Sequence, residues 1–269
     1  MDSVGPQDDD KASWFEPEAN DRRKEKVMTE TYCFVPPSIK SLEIRDRVER
    51  FPVGRLFCVG RNYQAHAAEM GVTVDKASAQ PFYFNKHPNH ILVSGGTMIY
   101  PPETANLHHE MELVVAIGAM GSAVTVDEAS RLIFGYAAGL DMTRRDLQQR
   151  AKDRAHPWDL AKDFEQGAVL SPIVQRQGSK VLASGLIELS VNGDVRQRAD
   201  LSMMIWGIAE LISDLSRYYT LGPGDLIFTG TPEGVGPVVP GDHLIGTIAG
   251  IGRVETTIAS TEAGRGFVG

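Results

Sequence analysis

Cysteine is scarce in this chain, and long hydrophobic runs are missing. Two cysteines, Cys33 and Cys58, among 269 residues cannot build a disulfide framework or a cysteine-rich zinc site. No run approaches the roughly 18 apolar residues that a transmembrane helix needs. We therefore expect no membrane-spanning helix, and a reducing cytoplasm is the simplest location.

Basic residues are also in deficit. Lys and Arg sum to 27 against 35 Asp and Glu, which gives a formal net charge of −8. A general nucleic-acid binder usually carries a basic surface, so this balance argues against one. The 42 % of hydrophobic residues and the chain length are sufficient for a sizeable core without disulfide bonds.

Several common catalytic motifs are absent as well. The chain has no His-Glu-x-x-His pattern of zinc proteases and no Gly-x-Ser-x-Gly elbow of serine hydrolases. The glycine-rich segment 229–236 lacks the Lys-Ser/Thr pair of a phosphate-binding loop. These absences leave other patterns to indicate the chemistry.

Composition divides the chain into three parts. Residues 1–30 mix many acidic and basic residues with little apolar mass, and we interpret them as a flexible charged N-terminal extension. A start of the folded part at Met28 and a loosely packed arm are the alternatives. With no linker visible, residues 31–260 are predicted to form a single catalytic domain, followed by a C-terminal tail at 261–269.

Short apolar runs bounded by Gly, Pro, Asn and Asp recur along the predicted domain and indicate strands, for example at 112–117 and 135–140. Helices are predicted at 142–154 and 200–218, the second with Asp200 or Ser202 as its N-cap. The strands do not alternate regularly with helices, which argues against a doubly wound parallel sheet. We expect an α+β domain that is mostly β.

Two glutamates mark the start of one predicted strand. In a strand, residues i and i+2 share a face, so Glu110 and Glu112 would point the same way, beside His108. Unpaired buried carboxylates are costly, and a divalent cation would relieve their repulsion. Oxygen ligands favour Mg²⁺, Mn²⁺ or Ca²⁺ over zinc. On spacing alone, two solvated acids at a strand end remain the alternative.

A third acid, Asp141, ends another apolar run just before the arginine-rich predicted helix. Arg145 and Gln148 follow it by four and seven residues and share one helical face. These two side chains could hold a substrate carboxylate and a keto oxygen. A helix N-cap and a solvated helix face are the alternatives for Asp141 and Arg145.

Six separated motifs together resemble the fumarylacetoacetate hydrolase family, in its short single-domain branch of acylpyruvate and fumarylpyruvate hydrolases. The resemblance runs from about residue 32 to residue 258. The motifs occupy residues 59–70, 109–113, 140–143, 157–162, 191–193 and 229–236. The family fold that the resemblance implies is a mixed β-sandwich roll, and its members are usually homodimers.

By position, the resemblance implies roles for nine residues. The metal ligands would be Glu110, Glu112 and Asp141. The catalytic residues would be His66, Glu69 and Lys162, and the substrate contacts would be Arg145, Gln148 and Thr231. The metal would be Mg²⁺ or Mn²⁺. The His66–Glu69 dyad would lie on a mobile lid and activate water, and its spacing fits one helical turn. A surface helix pair is the alternative for the dyad, and a snorkelling surface lysine is the alternative for Lys162.

On this resemblance we expect a metal-dependent hydrolase that cleaves a C–C bond in a 2,4-diketo acid and releases pyruvate, in aromatic-compound degradation. Fumarylpyruvate is the preferred substrate, followed by related acylpyruvates. Oxaloacetate decarboxylation and isomerisation of a hydroxy-dienedioate are alternatives on the same site. A non-catalytic, metal-dependent keto-acid binder would keep the carboxylates without needing the dyad, and a purely structural role would leave the acids unexplained.

Overall fold

The structure, a computed structural model, describes residues 31–260. The chain divides into two units, Met1–Ser38 and Ile39–Gly269. In the first unit, the described residues 31–38 contain no helix or strand, and Phe34 and Val35 are exposed. The predicted extension and tail lie outside the described residues, and the predicted domain limits stay a prediction.

Strands dominate the second unit. The described residues contain eighteen: β1 (Ser41–Glu43), β2 (Arg50–Pro52), β3 (Leu56–Val59), β4 (Tyr83–Lys86), β5 (Ile91–Val93), β6 (Thr97–Ile99), β7 (Leu107–His109), β8 (Met111–Ile117), β9 (Ile133–Asp141), β10 (Thr143–Arg144), β11 (Ala168–Leu170), β12 (Val174–Gln175), β13 (Leu186–Val191), β14 (Asp194–Asp200), β15 (Leu226–Phe228), β16 (Gly236–Val238), β17 (His243–Ile248) and β18 (Gly252–Ala259).

Helices are few and short. The α-helices are α1 (Gln64–Glu69), α2 (Val126–Ala129), α3 (Arg145–Asp153), α4 (Asp159–Lys162) and α5 (Ile208–Leu215), and short 3₁₀ turns cover Pro88–His90, Ser130–Leu132 and Leu201–Met203. Across residues 31–260, none of these helices has the length and apolar character required to cross a membrane. The prediction of an α+β, mostly β fold is confirmed.

Two sheets form the body of the unit. The larger has eight strands in the order β4-β3-β15-β8-β9-β11-β5, with β12 paired to β9, and the smaller has five in the order β14-β13-β17-β18-β6. Both sheets are mixed, since β15 with β3, β11 with β5 and β18 with β6 are parallel. Strands β13, β17 and β18 of the smaller sheet contact β8 and β9, as the predicted sandwich requires.

The central strand β8 is apolar at every position except Glu112. Leu113 and Val115 belong to one hydrophobic cluster, which includes Leu189 of the smaller sheet. Val114 and Ala116 alternate with them and belong to a second cluster on the opposite face. A strand covered on both faces needs apolar side chains at every position, so the polar residues at its start stand out.

Both predicted helices are wrong in their limits. Residues 142–154 begin instead with β10, because the backbone of Thr143 and Arg144 pairs with β7, and α3 starts at Arg145. Residues 200–218 are helical only over the 3₁₀ turn and α5. The predicted N-cap Asp200 does accept a hydrogen bond from the Ser202 N–H, but it caps the 3₁₀ turn.

A buried asparagine explains the break before α5. The Ile205 N–H donates to the Asn62 carbonyl at 2.7 Å, and the Trp206 N–H donates to Asn62 Oδ1 at 2.8 Å. Asn62 Nδ2 donates to the carbonyls of Trp206 (2.9 Å) and Thr229 (2.8 Å). These bonds take backbone groups that a continuous helix would use, and they join three distant segments.

We expect Asn62→Ala to lower the free energy of unfolding by at least about 2 kcal/mol, because each buried polar group left unpaired costs about 1–3 kcal/mol. Urea denaturation followed by circular dichroism measures this. The control is Asn85→Ala, which removes one hydrogen bond of an exposed side chain and should change stability by no more than about 0.5 kcal/mol. Equal losses for the two variants would contradict this account of Asn62.

Candidate active site

Strand pairing brings the three predicted metal ligands together. Glu110 lies in the single-residue break between β7 and β8, Glu112 lies in β8, and Asp141 ends the neighbouring β9. The Asp141 N–H donates to the Glu110 carbonyl at 2.8 Å. All three carboxylates are buried, and one oxygen from each lies within 4.8 Å of the others. The alternative of two solvated acids is therefore wrong.

Cations from the two following helices compensate this charge. Lys162 Nζ, at the end of α4, donates to Glu110 Oε2 (2.6 Å), Asp141 Oδ2 (2.7 Å) and Thr143 Oγ1 (2.8 Å). Arg145 opens α3 and donates to Glu110 Oε1 at 2.5 Å. Lys162 is buried, so it is not a snorkelling surface residue, and Arg145 does not lie on a solvated face.

A second buried lysine, which the sequence analysis missed, lies on the other side of Asp141. Lys86 Nζ is 2.9 Å from Asp141 Oδ1, but it donates to the carbonyls of Met142 (3.1 Å), Gly167 (2.9 Å) and Lys162. Within residues 31–260, Asp141 Oδ1 accepts no hydrogen bond. Lys86 ends an ordinary short strand, and nothing in its local sequence distinguishes it from a surface lysine.

Glu112 is held by a backbone donor. The Gly230 N–H donates to Glu112 Oε2 at 2.7 Å. Gly230 has a φ of +91°, and a Cβ there would lie 2.7 Å from the Asn62 side chain. Only glycine meets both conditions, which explains the glycine in this part of the 229–236 segment.

The pKa values of the two glutamates are shifted in opposite directions. Burial raises the pKa of Glu112 well above its ordinary value, and the negative charges of Asp141 and Glu110 add to the effect. Burial also acts to raise the pKa of Glu110, but the charges of Lys162 and Arg145 outweigh it and hold that pKa well below the ordinary value. The site therefore keeps Glu110 ionised and disfavours a second charge on Glu112.

The donor set fits a hard divalent cation. It offers three buried carboxylates, one of which, Asp141, has an oxygen that accepts no hydrogen bond within the described residues. Carboxylate oxygens suit Mg²⁺ and Mn²⁺. Bound at Glu110, Glu112 and Asp141, the cation would remove the repulsion that raises the pKa of Glu112.

The predicted dyad forms on α1. His66 Nδ1 lies 3.4 Å from Glu69 Oε2, and Glu69 Oε1 accepts a hydrogen bond of 2.9 Å from the Gly234 N–H. The His66 side chain is 3 % exposed and that of Glu69 41 %. Burial lowers the pKa of His66, although Glu110 and Glu69 oppose this effect, so the imidazole is neutral at pH 7. The mobility of this lid stays a prediction.

The predicted substrate contacts divide into two groups. Arg145 Nη1 donates to Gln148 Oε1 at 2.5 Å, so Gln148 is linked to Glu110 through Arg145. Thr231 Oγ1 instead accepts a hydrogen bond from Gln197 Nε2 at 2.8 Å. Gln197 Oε1 also accepts from the Met111 N–H at 3.0 Å. The sequence analysis missed Gln197, because it is one polar residue in a largely polar strand.

Within the described residues, His108 makes no hydrogen bond to Glu110 or Glu112 and is linked to Glu110 through Arg145. Arg145 Nε donates to His108 Nδ1 at 3.4 Å, and the same guanidinium binds Glu110. Burial and the charge of Arg145 lower the pKa of His108 to about 4. His108 is thus a neutral support for Arg145, whereas His109 hydrogen-bonds to Gln197 at 3.1 Å.

Comparison with known proteins finds a family description that matches most of the chain. The family description "Fumarylacetoacetate (FAA) hydrolase C-terminal" matches residues 55–259. A fumarylpyruvate hydrolase of a Ralstonia species is 54 % identical over 193 residues, which are 72 % of this chain and 100 % of that protein. A mitochondrial oxaloacetate tautomerase of Mus musculus is 38 % identical over 207 residues, covering 77 % of this chain and 92 % of that protein.

Solved structures give the same result. The crystal structure of fumarylpyruvate hydrolase from Pseudomonas aeruginosa in complex with Mn²⁺ and pyruvate has a TM-score of 0.82 and 41 % identity. The match covers 86 % of this chain and 100 % of that one. The mixed β-sandwich roll that the motifs predicted is therefore confirmed.

We expect Glu112→Gln to weaken Mn²⁺ binding by more than the roughly 10–100-fold that loss of an outer-shell partner costs. The amide oxygen can still accept the Gly230 N–H, so the fold should survive. Isothermal titration calorimetry measures the affinity. In thermal melts, Mn²⁺ should raise the melting temperature of the wild type but not that of the variant.

The matched control is Glu165→Gln, which changes a glutamate that is 84 % exposed and should leave both readouts unchanged. An unchanged Mn²⁺ affinity in Glu112→Gln would exclude this glutamate as a metal ligand.

Proposed function

The chain belongs to the fumarylacetoacetate hydrolase family, and we propose that it is a metal-dependent hydrolase that cleaves a carbon–carbon bond in a 2,4-diketo acid and releases pyruvate. The observation that carries this proposal is the convergence of three buried carboxylates with Lys162 and Arg145. Fumarylpyruvate is the preferred substrate and related acylpyruvates follow, within the breakdown of aromatic compounds. The 54 % identity to a fumarylpyruvate hydrolase supports this choice.

Glu110, Glu112 and Asp141 would hold Mg²⁺ or Mn²⁺. When bound, the cation supplies Lewis-acid polarisation at the keto-acid end of the substrate. The acidic oxygen donors suit both ions, and the Mn²⁺ in the similar Pseudomonas aeruginosa structure supports Mn²⁺ in particular.

Arg145 and Gln148 orient the substrate. They share one face of α3, where Arg145 binds Glu110 and Gln148 binds Arg145. The guanidinium can donate to a substrate carboxylate, and the Gln148 amide can donate to a keto oxygen. Thr231, held by Gln197, is the third proposed contact.

His66 is the proposed general base. Its Nδ1 faces Glu69, which leaves Nε2 to accept a proton from water. The water oxygen then bonds to the distal carbonyl carbon, and the bond between this carbon and the methylene carbon breaks. The electron pair passes to the leaving pyruvate enolate, and the charge of Lys162 stabilises the developing negative charge. Protonation of the enolate completes the release of pyruvate.

Enolate chemistry without water attack is the second candidate. The 38 % identity to an oxaloacetate tautomerase favours it, and decarboxylation of oxaloacetate or isomerisation of a hydroxy-dienedioate would use the same keto-acid end. The His66–Glu69 pair supports hydrolysis, because hydrolysis differs from the second candidate in requiring a base that takes a proton from the attacking water. The same pair argues against a non-catalytic keto-acid binder.

Assembly and location are also proposals. We propose a homodimer, which is the usual state that the family resemblance implies. The two cysteines in the described residues are free, Cys33 exposed and Cys58 buried, and this supports a reducing cytoplasm.

A substrate panel tests the proposed function. Purified protein is offered fumarylpyruvate, acetylpyruvate and oxaloacetate, with Mn²⁺, with Mg²⁺ and after chelation, and pyruvate release is followed by a coupled lactate dehydrogenase assay. We expect the highest kcat/KM on fumarylpyruvate and no turnover after chelation. Turnover of oxaloacetate alone would replace hydrolysis with the second candidate.

We expect His66→Ala to lower kcat on fumarylpyruvate by about 10²-fold or more, the usual scale for loss of a positioned general base. Oxalate, which resembles the keto-acid end of the substrate, should still inhibit with an unchanged constant. The control is His156→Ala at an exposed position. If oxalate inhibition disappears together with turnover, His66 binds substrate and is not the base.

The acid side of the pH profile should report the same base. His66 must be neutral to accept a proton, and burial lowers its pKa from the ordinary value, so kcat/KM should fall at a more acidic pH than an ordinary imidazole would give. Glu69 raises that pKa, so Glu69→Gln should move the fall to lower pH. Stopped assays across pH 4–8 in constant ionic strength measure both profiles, and identical profiles would contradict the pairing.

A further inference from the structure

Arg61, a cation near the site, has no anionic partner among residues 31–260. Arg61 lies between β3 and α1, and its guanidinium carbon is 5.2 Å from the centre of the Phe82 ring. Its Nε is buried and, among the described residues, has no hydrogen-bond partner. A Cβ at Gly60 would lie 2.0 Å from the Phe82 ring, so the glycine lets this ring lie against the backbone below the guanidinium.

A second cation of this kind is Lys152. It lies in α3, four residues after Gln148 and seven after Arg145, on the helical face that these two residues share. Its Nζ is 5.4 Å from the centre of the Trp158 ring, and no hydrogen bond or ion pair of its side chain occurs within residues 31–260. Arg61 and Lys152 lie on two rings, Phe82 and Trp158, that contact each other. Burial, followed by the charges of Arg145 and Arg61, lowers the pKa of Lys152 to about 8.

Three aromatic rings, Phe84, Trp158 and Phe82, connect these cations to the carboxylate site, and we call them the aromatic row. Lys162 Nζ is 4.8 Å from the Phe84 ring. The ring centroids of Phe84 and Trp158 are 6.1 Å apart, and those of Trp158 and Phe82 are 5.2 Å apart in edge contact. The row therefore begins at the buried Lys162, passes below Lys152 at Trp158 and ends below Arg61 at Phe82.

Arg61 and Lys152 differ from Arg145 and Lys162 in their anionic partners. Arg145 and Lys162 are paired with Glu110. Arg61 and Lys152 rest on rings and repel each other, which is unfavourable unless an anion joins them. A flat, conjugated acid with one end at the carboxylate site could lie along the row and bring such an anion to the far end.

We propose that Arg61 and Lys152 bind the distal carboxylate of a dicarboxylic 2,4-diketo acid and thereby favour it over monocarboxylic acylpyruvates. The inference rests on the proposed function and specifies its substrate class. Arg61 would bind the carboxylate through its planar guanidinium and Lys152 as a point charge. Fumarylpyruvate has this second carboxylate, and acetylpyruvate lacks it.

The test compares these two substrates in the Mn²⁺-loaded enzyme. Arg61→Met and Lys152→Met remove the charges and keep most of the side-chain length. For each variant, KM for fumarylpyruvate should rise by about 10-fold or more, the scale of a lost hydrogen bond to a charged group, while KM for acetylpyruvate stays unchanged. Arg61→Lys should recover part of the loss. Arg150→Met, an exposed cation on the same helix, is the matched control.

Other outcomes overturn the inference. Equal losses on both substrates would mean that the cations support the site in general, and an unchanged KM for fumarylpyruvate would exclude the contact. Melting temperature and oxalate inhibition establish that each variant is folded, and Lys152→Met alone suffices if Arg61→Met does not fold. A wild-type enzyme that releases pyruvate from neither substrate overturns the proposed function and this inference with it.

Discussion

Three carboxylates buried at one point are the constraint on which the rest of the site depends. Their separation is set by the backbone, because Glu110 and Glu112 flank Met111 and Asp141 lies on the paired strand β9. Like charges at such distances cannot all be ionised in a buried environment unless cations compensate them. Lys162 and Arg145 come from the short helices α4 and α3, which explains why two helices adjoin an otherwise β-rich site.

This compensation is uneven, and the unevenness prepares the site for a divalent cation. Glu110 receives both Lys162 and Arg145, whereas within residues 31–260 Glu112 receives only the Gly230 N–H. Burial, with the negative charges of Asp141 and Glu110, raises the pKa of Glu112, so a cation bound there would displace a proton. Lys86 holds Asp141 from the other side while its hydrogens satisfy three backbone carbonyls, so one oxygen of Asp141 accepts no hydrogen bond among the described residues.

The glycine-rich segment 229–236 links this cluster to the proposed base. Its Gly230 N–H binds Glu112, and its Gly234 N–H binds Glu69. Backbone donors that would hold phosphate in a nucleotide-binding loop here hold two of the protein's own carboxylates. The segment thereby ties α1, with His66, to β8, with the carboxylates, through contacts that do not involve the substrate.

Local patterns were sufficient for much of this protein. The period-two spacing of Glu110 and Glu112, the acid at the end of β9 and the helical spacing of Arg145 with Gln148 follow from backbone geometry, which is the same wherever these elements occur. The apolar runs at 112–117 and 135–140 likewise predicted strands, which form as β8 and β9. The limits of α3 and α5 did not follow, since β7 and Asn62 take hydrogen bonds that local propensity assigns to a helix.

Tertiary structure alone decided three features of the site: the role of Lys86, the role of Gln197 and the pairing of Lys162 with Asp141. Each is a polar side chain whose burial and partners come from segments tens of residues away. A lysine on a short strand or helix has the same local sequence whether it meets water or a buried carboxylate. Only the packing of the sheets decides which, because desolvation and charge pairing depend on distance in space and not along the chain.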